Sequence, residues 1–252
     1  MSFTLMASAQ ASGGQIIRKS RSGQRTTSSA NSTHNRPNKK DNKGMAELEL
    51  IRRQGAFREQ SIQDELLRTD DNSRKCEILR TASSDFESSK DYERAIKFYN
   101  QYLSISPRLT SDDLDCLAKM YSHFADFLGE YKLDEYRKEM LLKAVEVYHR
   151  IGDSFPRQKV YAAYQCATMN NKLDKNGEKS FAKPDYLKVV ELLEGKANRS
   201  KGEDIMLKYS LHYLMANEFL VGKNKSLAKV YANKILAIDS NYAPALQIRD
   251  IE

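Results

Sequence analysis

The side chains able to do chemistry in this chain are thinly spread. Cys76, Cys116 and Cys166 stand far apart, with no Cys-x-x-Cys pair that could grip a metal or cycle as a dithiol. Each falls in a helical pattern, so all three are expected as buried core thiols. His34, His123, His149 and His212 form no cluster at ligand spacing. The carboxylate pairs Asp112/Asp113 and Glu203/Asp204 sit where helices are expected to begin, and the helix dipole alone accounts for acids there. No Gly-x-x-x-x-Gly-Lys-Ser/Thr phosphate loop, His-Glu-x-x-His helix or Gly-x-Ser-x-Gly elbow occurs. A non-catalytic chain with no cofactor and no metal is therefore expected.

Charge might stand in for a site, since the formal net charge is +7. It is confined to one end. Of 41 Lys and Arg, seven lie in residues 1–40, which carry no acid; the remainder holds 34 bases against 34 Asp and Glu. The body is neutral, and the basic balance belongs to the tail.

That tail opens MSFTLMASAQASGG, a short apolar stretch followed by Ala-x-Ala spacing, which resembles the end of a secretory signal peptide cut after Ala9 or Ala11. On this basis residues 1–11 are expected to be an export remnant with Met1 internal to a longer chain, and the protein to lie in the periplasm or cell envelope of a bacterium. A transit peptide and an unaddressed terminus are the competing expectations, and a cytoplasmic location goes with the latter. Residues 12–44 are Ser, Thr, Asn, Gly and bases with little to bury, hence a disordered basic linker. No aromatic is interleaved to stack on bases, which argues against nucleic acid as the specific partner. The alternative to be kept is a cytoplasmic adapter whose basic tail binds nucleic acid.

Such residues need elements to hold them, and from Met45 onward the elements are helices. Apolar residues return at spacings of three and four while Gly and Pro fall between segments. A capping helix is expected within residues 45–70, with Leu48, Ile51, Phe57, Ile62 and Leu66 tending to one face, followed by about four helix pairs over 71–252. No apolar run approaches the roughly 18 residues that cross a bilayer.

The pairs repeat. At an offset of 133, DYERAIKFYNQYLSISP (91–107) aligns with the segment around NKSLAKVYANKILAIDSN, and Phe86, Lys90, Ala95, Asn100, Leu103 and Ile105 recur as Phe219, Lys223, Ala228, Asn233, Leu236 and Ile238. Ala95 and Ala228 are expected where two antiparallel helices approach closely enough that only a methyl fits. An aromatic, a turn, a small residue and a terminal stop make these units resemble the tetratricopeptide repeat, an all-α helical-hairpin solenoid. The middle departs from that pattern. Offset 42 places Arg137 at the small site of a second unit; offset 49 instead matches KAVEVYHRIGDSFP to RAIKFYNQYLSISP, and the first is preferred because it aligns both helices. A third unit has Val189 at the small site and the long insertion LDKNGEKSFAKP between its helices. NYAPALQIRDIE should cap the far end.

The resemblance implies a protein or peptide partner bound along the surface lined by the first helix of each pair. Carried onto this sequence, the outward positions are Glu77, Arg80, Ser84 and Glu87; Lys119, Ser122 and Asp126; and Ser210, Tyr213, Asn217 and Leu220. Asp126, one turn beyond Ser122, would repel a terminal carboxylate, so a chaperone-tail ligand is disfavoured.

Overall fold

The structure is a computed structural model describing residues 39–174 and 177–251, with side chains from residue 43 onward. The expected export remnant and the linker up to residue 38 lie outside the described residues. Every regular element among the described residues is helical: α1 (Lys39–Leu67), α2 (Asn72–Ser88), α3 (Tyr92–Ile105), α4 (Ser111–Glu130), α5 (Asp134–Ser154), α6 (Lys159–Leu173), α7 (Lys183–Glu194), α8 (Lys201–Leu220), α9 (Lys225–Ile238) and α10 (Ala243–Arg249). One 3-10 turn, Pro156–Gln158, leads into α6. The expected linker ran to residue 44, whereas α1 already begins at Lys39.

Side-chain caps start α2, α3, α4, α8 and α9. Asp71 accepts hydrogen bonds from the Ser73 and Arg74 backbone N–H groups, and Asp91 from that of Arg94. Thr110 with Asp113, and Ser200 with Glu203, close reciprocal capping boxes. One member of each carboxylate pair is thus committed to a helix start. The Lys196 ammonium and Ser200 donors pull the Glu203 carboxyl down to about 2.

The helices pack as successive hairpins, α2/α3, α4/α5, α6/α7 and α8/α9, each against the next, and α10 closes on α9. Offset 133 carries the bounds of α3 onto those of α9 residue for residue. The turns repeat too: Lys90, Lys132 and Lys223, each two residues before a second helix, all adopt positive φ, at 62°, 61° and 52°. Asp91 N–H donates to Phe86 O, and Leu133 N–H to Leu128 O, so the first two turns close in the same way.

Ala95 and Ala228 have no exposed surface, and the Ser83 hydroxyl donates to Ala95 O at 2.8 Å across the first hairpin. In the second hairpin Gly129 offers the space that Arg137 occupies: a Cβ on Gly129 would stand 3.2 Å from Arg137 Cδ. In the third, Val189 shares a core with Ala163 and Ala167, small residues supplied by the first helix. Two cores meet at α6. Ala162, Cys166 and Met169 join the one built from α1 to α5, and Ala163 and Ala167 join the other. Cys166 is buried, and burial pushes its thiol up to about 12. Cys116 departs from expectation. It is exposed, because it falls on the outer face of α4 with Asp112 and Lys119, away from the stripe of Leu114, Leu117 and Ala118.

Candidate interaction surface

The first helices of the hairpins, α2, α4, α6 and α8, carry the residues marked out by the repeat, and three different situations result. Along α2 they stay open. Glu77, Arg80 and Ser84 are exposed and line a groove of about 740 Å³ with Cys76, Tyr102 and Pro107. The Arg80 guanidinium lies 5.4 Å over the Tyr102 ring, whose hydroxyl donates to Asp113 Oδ1 at 2.9 Å. Burial opposes the Asp113 charge, but hydrogen bonds from Thr110 and Tyr102, with Arg80 nearby, outweigh it and hold the carboxyl below its usual range. Glu77 is paired with Arg74 at 2.7 Å. Arg80 and Ser84 are the other predicted residues that line the groove, and both are exposed.

Along α4 the predicted residues bridge neighbouring helices. Glu87 Oε1 meets His123 Nδ1 at 2.8 Å, tying α2 to α4. The Lys172 ammonium of α6 donates to Ser122 Oγ at 3.1 Å and pairs with Asp126 Oδ2 at 2.8 Å. Lys119 pairs with Asp115 at 2.6 Å. Ser122 is itself buried, not outward. His123 and Lys172 were not singled out from the sequence, although each lies on a first helix within reach of a predicted acid.

Along α8 the expected outward face has turned inward. Ser210 is fully buried and donates to Met206 O at 2.7 Å. Asn217 is buried and donates to Ser180 Oγ at 2.6 Å. Tyr213 is half-buried with its ring 4.5 Å from that of Tyr186, and Leu220 remains exposed. For Asn217 the cause is the insertion after α6. Asp174, buried, accepts the backbone N–H groups of Lys179 and Ser180 at 2.8 and 2.7 Å, which folds the connection so that Ser180 reaches α8. Lys183 then pairs with the buried Glu218 at 2.6 Å. The first unit has no such insertion, so transfer by offset alone could not anticipate the covering.

Among the described residues the fold is an all-α array of successive helical hairpins. No protein-family model matches the chain, and no curated protein matches it. Among solved structures it is similar to BtubC (BKLC) from P. vanneervenii, at 16% identity and a TM-score of 0.39, over 80% of this chain and 73% of that one. It is also similar to the C-terminal part of a TPR repeat-containing protein from Cytophaga hutchinsonii, at 15% identity and a TM-score of 0.34, over 84% and 96% of the two chains.

Proposed function

We propose that this protein is a divergent tetratricopeptide-type scaffold that binds a protein or peptide and performs no catalysis, and that the groove along α2 is its principal contact surface. The carrying observation is the state of that groove: Arg80 and Ser84 are exposed beside about 740 Å³ of open space, whereas the corresponding positions on α4 and α8 are bonded within the chain or buried. A photo-reactive residue in place of Ser84 should capture a partner in cells, and Arg80→Glu should abolish that capture. Capture that survives Arg80→Glu would move the contact elsewhere.

Export to a bacterial cell envelope is proposed on the Ala-x-Ala segment of residues 7–11. N-terminal sequencing of protein from fractionated cells tests it, and an intact Met1 in the cytosol would overturn it. Among the described residues no helix is long and apolar enough to cross a membrane.

A further inference from the structure

Helix α1 gives one face to the protein and turns the opposite face outward. Leu48, Ile51, Ile62 and Leu66 pack into the first core. Two glycines lie on the same side. A Cβ on Gly44 would come within 2.9 Å of Tyr131 Cβ at the α4–α5 turn, and one on Gly55 would stand 2.7 Å from Arg94 Nη1 beside the α2–α3 turn. The outer side carries Leu50, Arg53, Phe57, Gln60, Asp64 and Leu67, which follow one another at spacings of three, four, three, four and three. That is the a/d rhythm of a heptad, so the six form one seam along the helix. Phe57, expected to face the core with Leu48, is 87% exposed, and Leu67 and Leu50 are 83% and 48% exposed. A single bare apolar side chain is ordinary, but here three of them fall in heptad register.

The order of residues along the seam is complementary to its own reverse. Each of the pairs Leu50 and Leu67, Arg53 and Asp64, and Phe57 and Gln60 is symmetric about the midpoint between Arg58 and Glu59. Antiparallel helices bring the a positions of one level with the d positions of the other, so a two-fold axis at that midpoint would form all these layers together. A parallel pair would instead set Arg53 against Arg53 and Asp64 against Asp64, like charges at two layers. The charge order thus selects both the direction and the register. Each charged group has capacity for a partner. Arg53 Nε donates to Glu49 Oε1 at 3.1 Å, using one of the guanidinium's N–H groups, and Asp64 Oδ1 accepts from Gln60 Nε2 at 2.9 Å, using one carboxylate oxygen.

We propose that the outer face of α1 is a self-association surface: a second copy of this chain docks there as an antiparallel, two-fold helix pair. Leu50 meets Leu67 of the second copy, Arg53 meets its Asp64, and Phe57 meets its Gln60. The contact is one helix wide on each side, which fits a reversible dimer in the micromolar range and not an obligate one. The groove along α2 is lined by other residues, so capture at Ser84 reports on a separate contact.

Sedimentation equilibrium of the full chain between about 1 and 100 μM should show a monomer–dimer equilibrium. Asp64→Arg sets arginine against Arg53 and should weaken association at least about tenfold, and Arg53→Asp should do the same. The double variant Arg53→Asp/Asp64→Arg returns opposite charges to the same layers and should recover dimerisation to within about threefold of the unaltered chain. Phe57→Ser should weaken the dimer while helical circular dichroism is unchanged, since that side chain lies outside the core. A chain that stays monomeric over this range, single variants that associate as well as the unaltered chain, or a double variant as weak as the singles would each overturn the proposal.

Discussion

Phe86 and Phe219 occupy the same place in the repeat, yet replacing them by alanine should have unequal effects. Phe86 is 1% exposed, lies parallel to Phe98 with ring centroids 5.5 Å apart, and has the Arg58 guanidinium of α1 at 4.4 Å. Its loss leaves a cavity that close-packed neighbours cannot fill, at a cost of about 3–5 kcal/mol including the ring stack. Phe219 is only partly buried against the second core. Deleting it forfeits part of one side chain's burial, about 1–2 kcal/mol. With a urea dependence of about 2 kcal/mol per molar for a chain of this size, the midpoints should fall by about 1.5–2.5 M and about 0.5–1 M respectively. Far-ultraviolet circular dichroism can follow both, and the intrinsic fluorescence comes from 14 Tyr with no Trp. Equal losses would refute the idea that α1 is what makes the two sites differ.

Further outcomes follow from other contacts. Lys90, Lys132 and Lys223 sit in the left-handed region, where a Cβ is unfavourable, so replacement of any one by glycine should stabilise by about 0.5–1 kcal/mol in urea unfolding. Asn217→Ala removes the bond to Ser180 inside the protein and should cost about 1–2 kcal/mol while leaving capture at Ser84 unchanged. Burial lowers the His212 pKa from its ordinary 6.5, and Nδ1 has no hydrogen-bond partner among the described residues. The unfolded chain therefore takes up this proton first, so stability is full above about pH 6.5 and declines as pH falls below it. His212→Phe should flatten that slope in unfolding midpoints measured between about pH 5 and 7.

How far the fold could be read from sequence depended on whether local pattern or long-range packing decided each feature. Ala95 and Ala228 were legible because a methyl between bulky neighbours at helical spacing has a steric cause. Lys90 and Lys223 recurred in the alignment, but lysine is no signal for a left-handed residue, so the shared turn geometry emerged only in three dimensions. Arg80 and Ser84 were carried over from the tetratricopeptide resemblance as outward positions, and both are exposed. Ser210 and Asn217 both lie inside, and for Asn217 the contact comes from Ser180, 37 residues upstream. The seating of α1 was hidden in Gly44 and Gly55. Glycine inside a helical pattern costs about 1 kcal/mol and can mark a close approach, a signal that helical periodicity passes over.

The second hairpin departs from the repeat beside α1. Helix α5 has 21 residues where α3 and α9 have 14. Offset 42 fits the turn, with Lys132 in the place of Lys90. Offset 49 fits the buried stripe, with Ala144, Val145, Tyr148 and Ile151 in the places of Ala95, Ile96, Tyr99 and Tyr102, all of them buried. Both hold because seven residues, two helical turns, have been added at the start of α5, a length that restores the same face to the core. The added stretch contains Tyr136 and Met140, which line an open cleft beside α1, and Arg137, which donates to Lys172 O at 2.8 Å. Regularity is lost again in the third hairpin, with Val189 at the small site and the connection folded by Asp174 after α6.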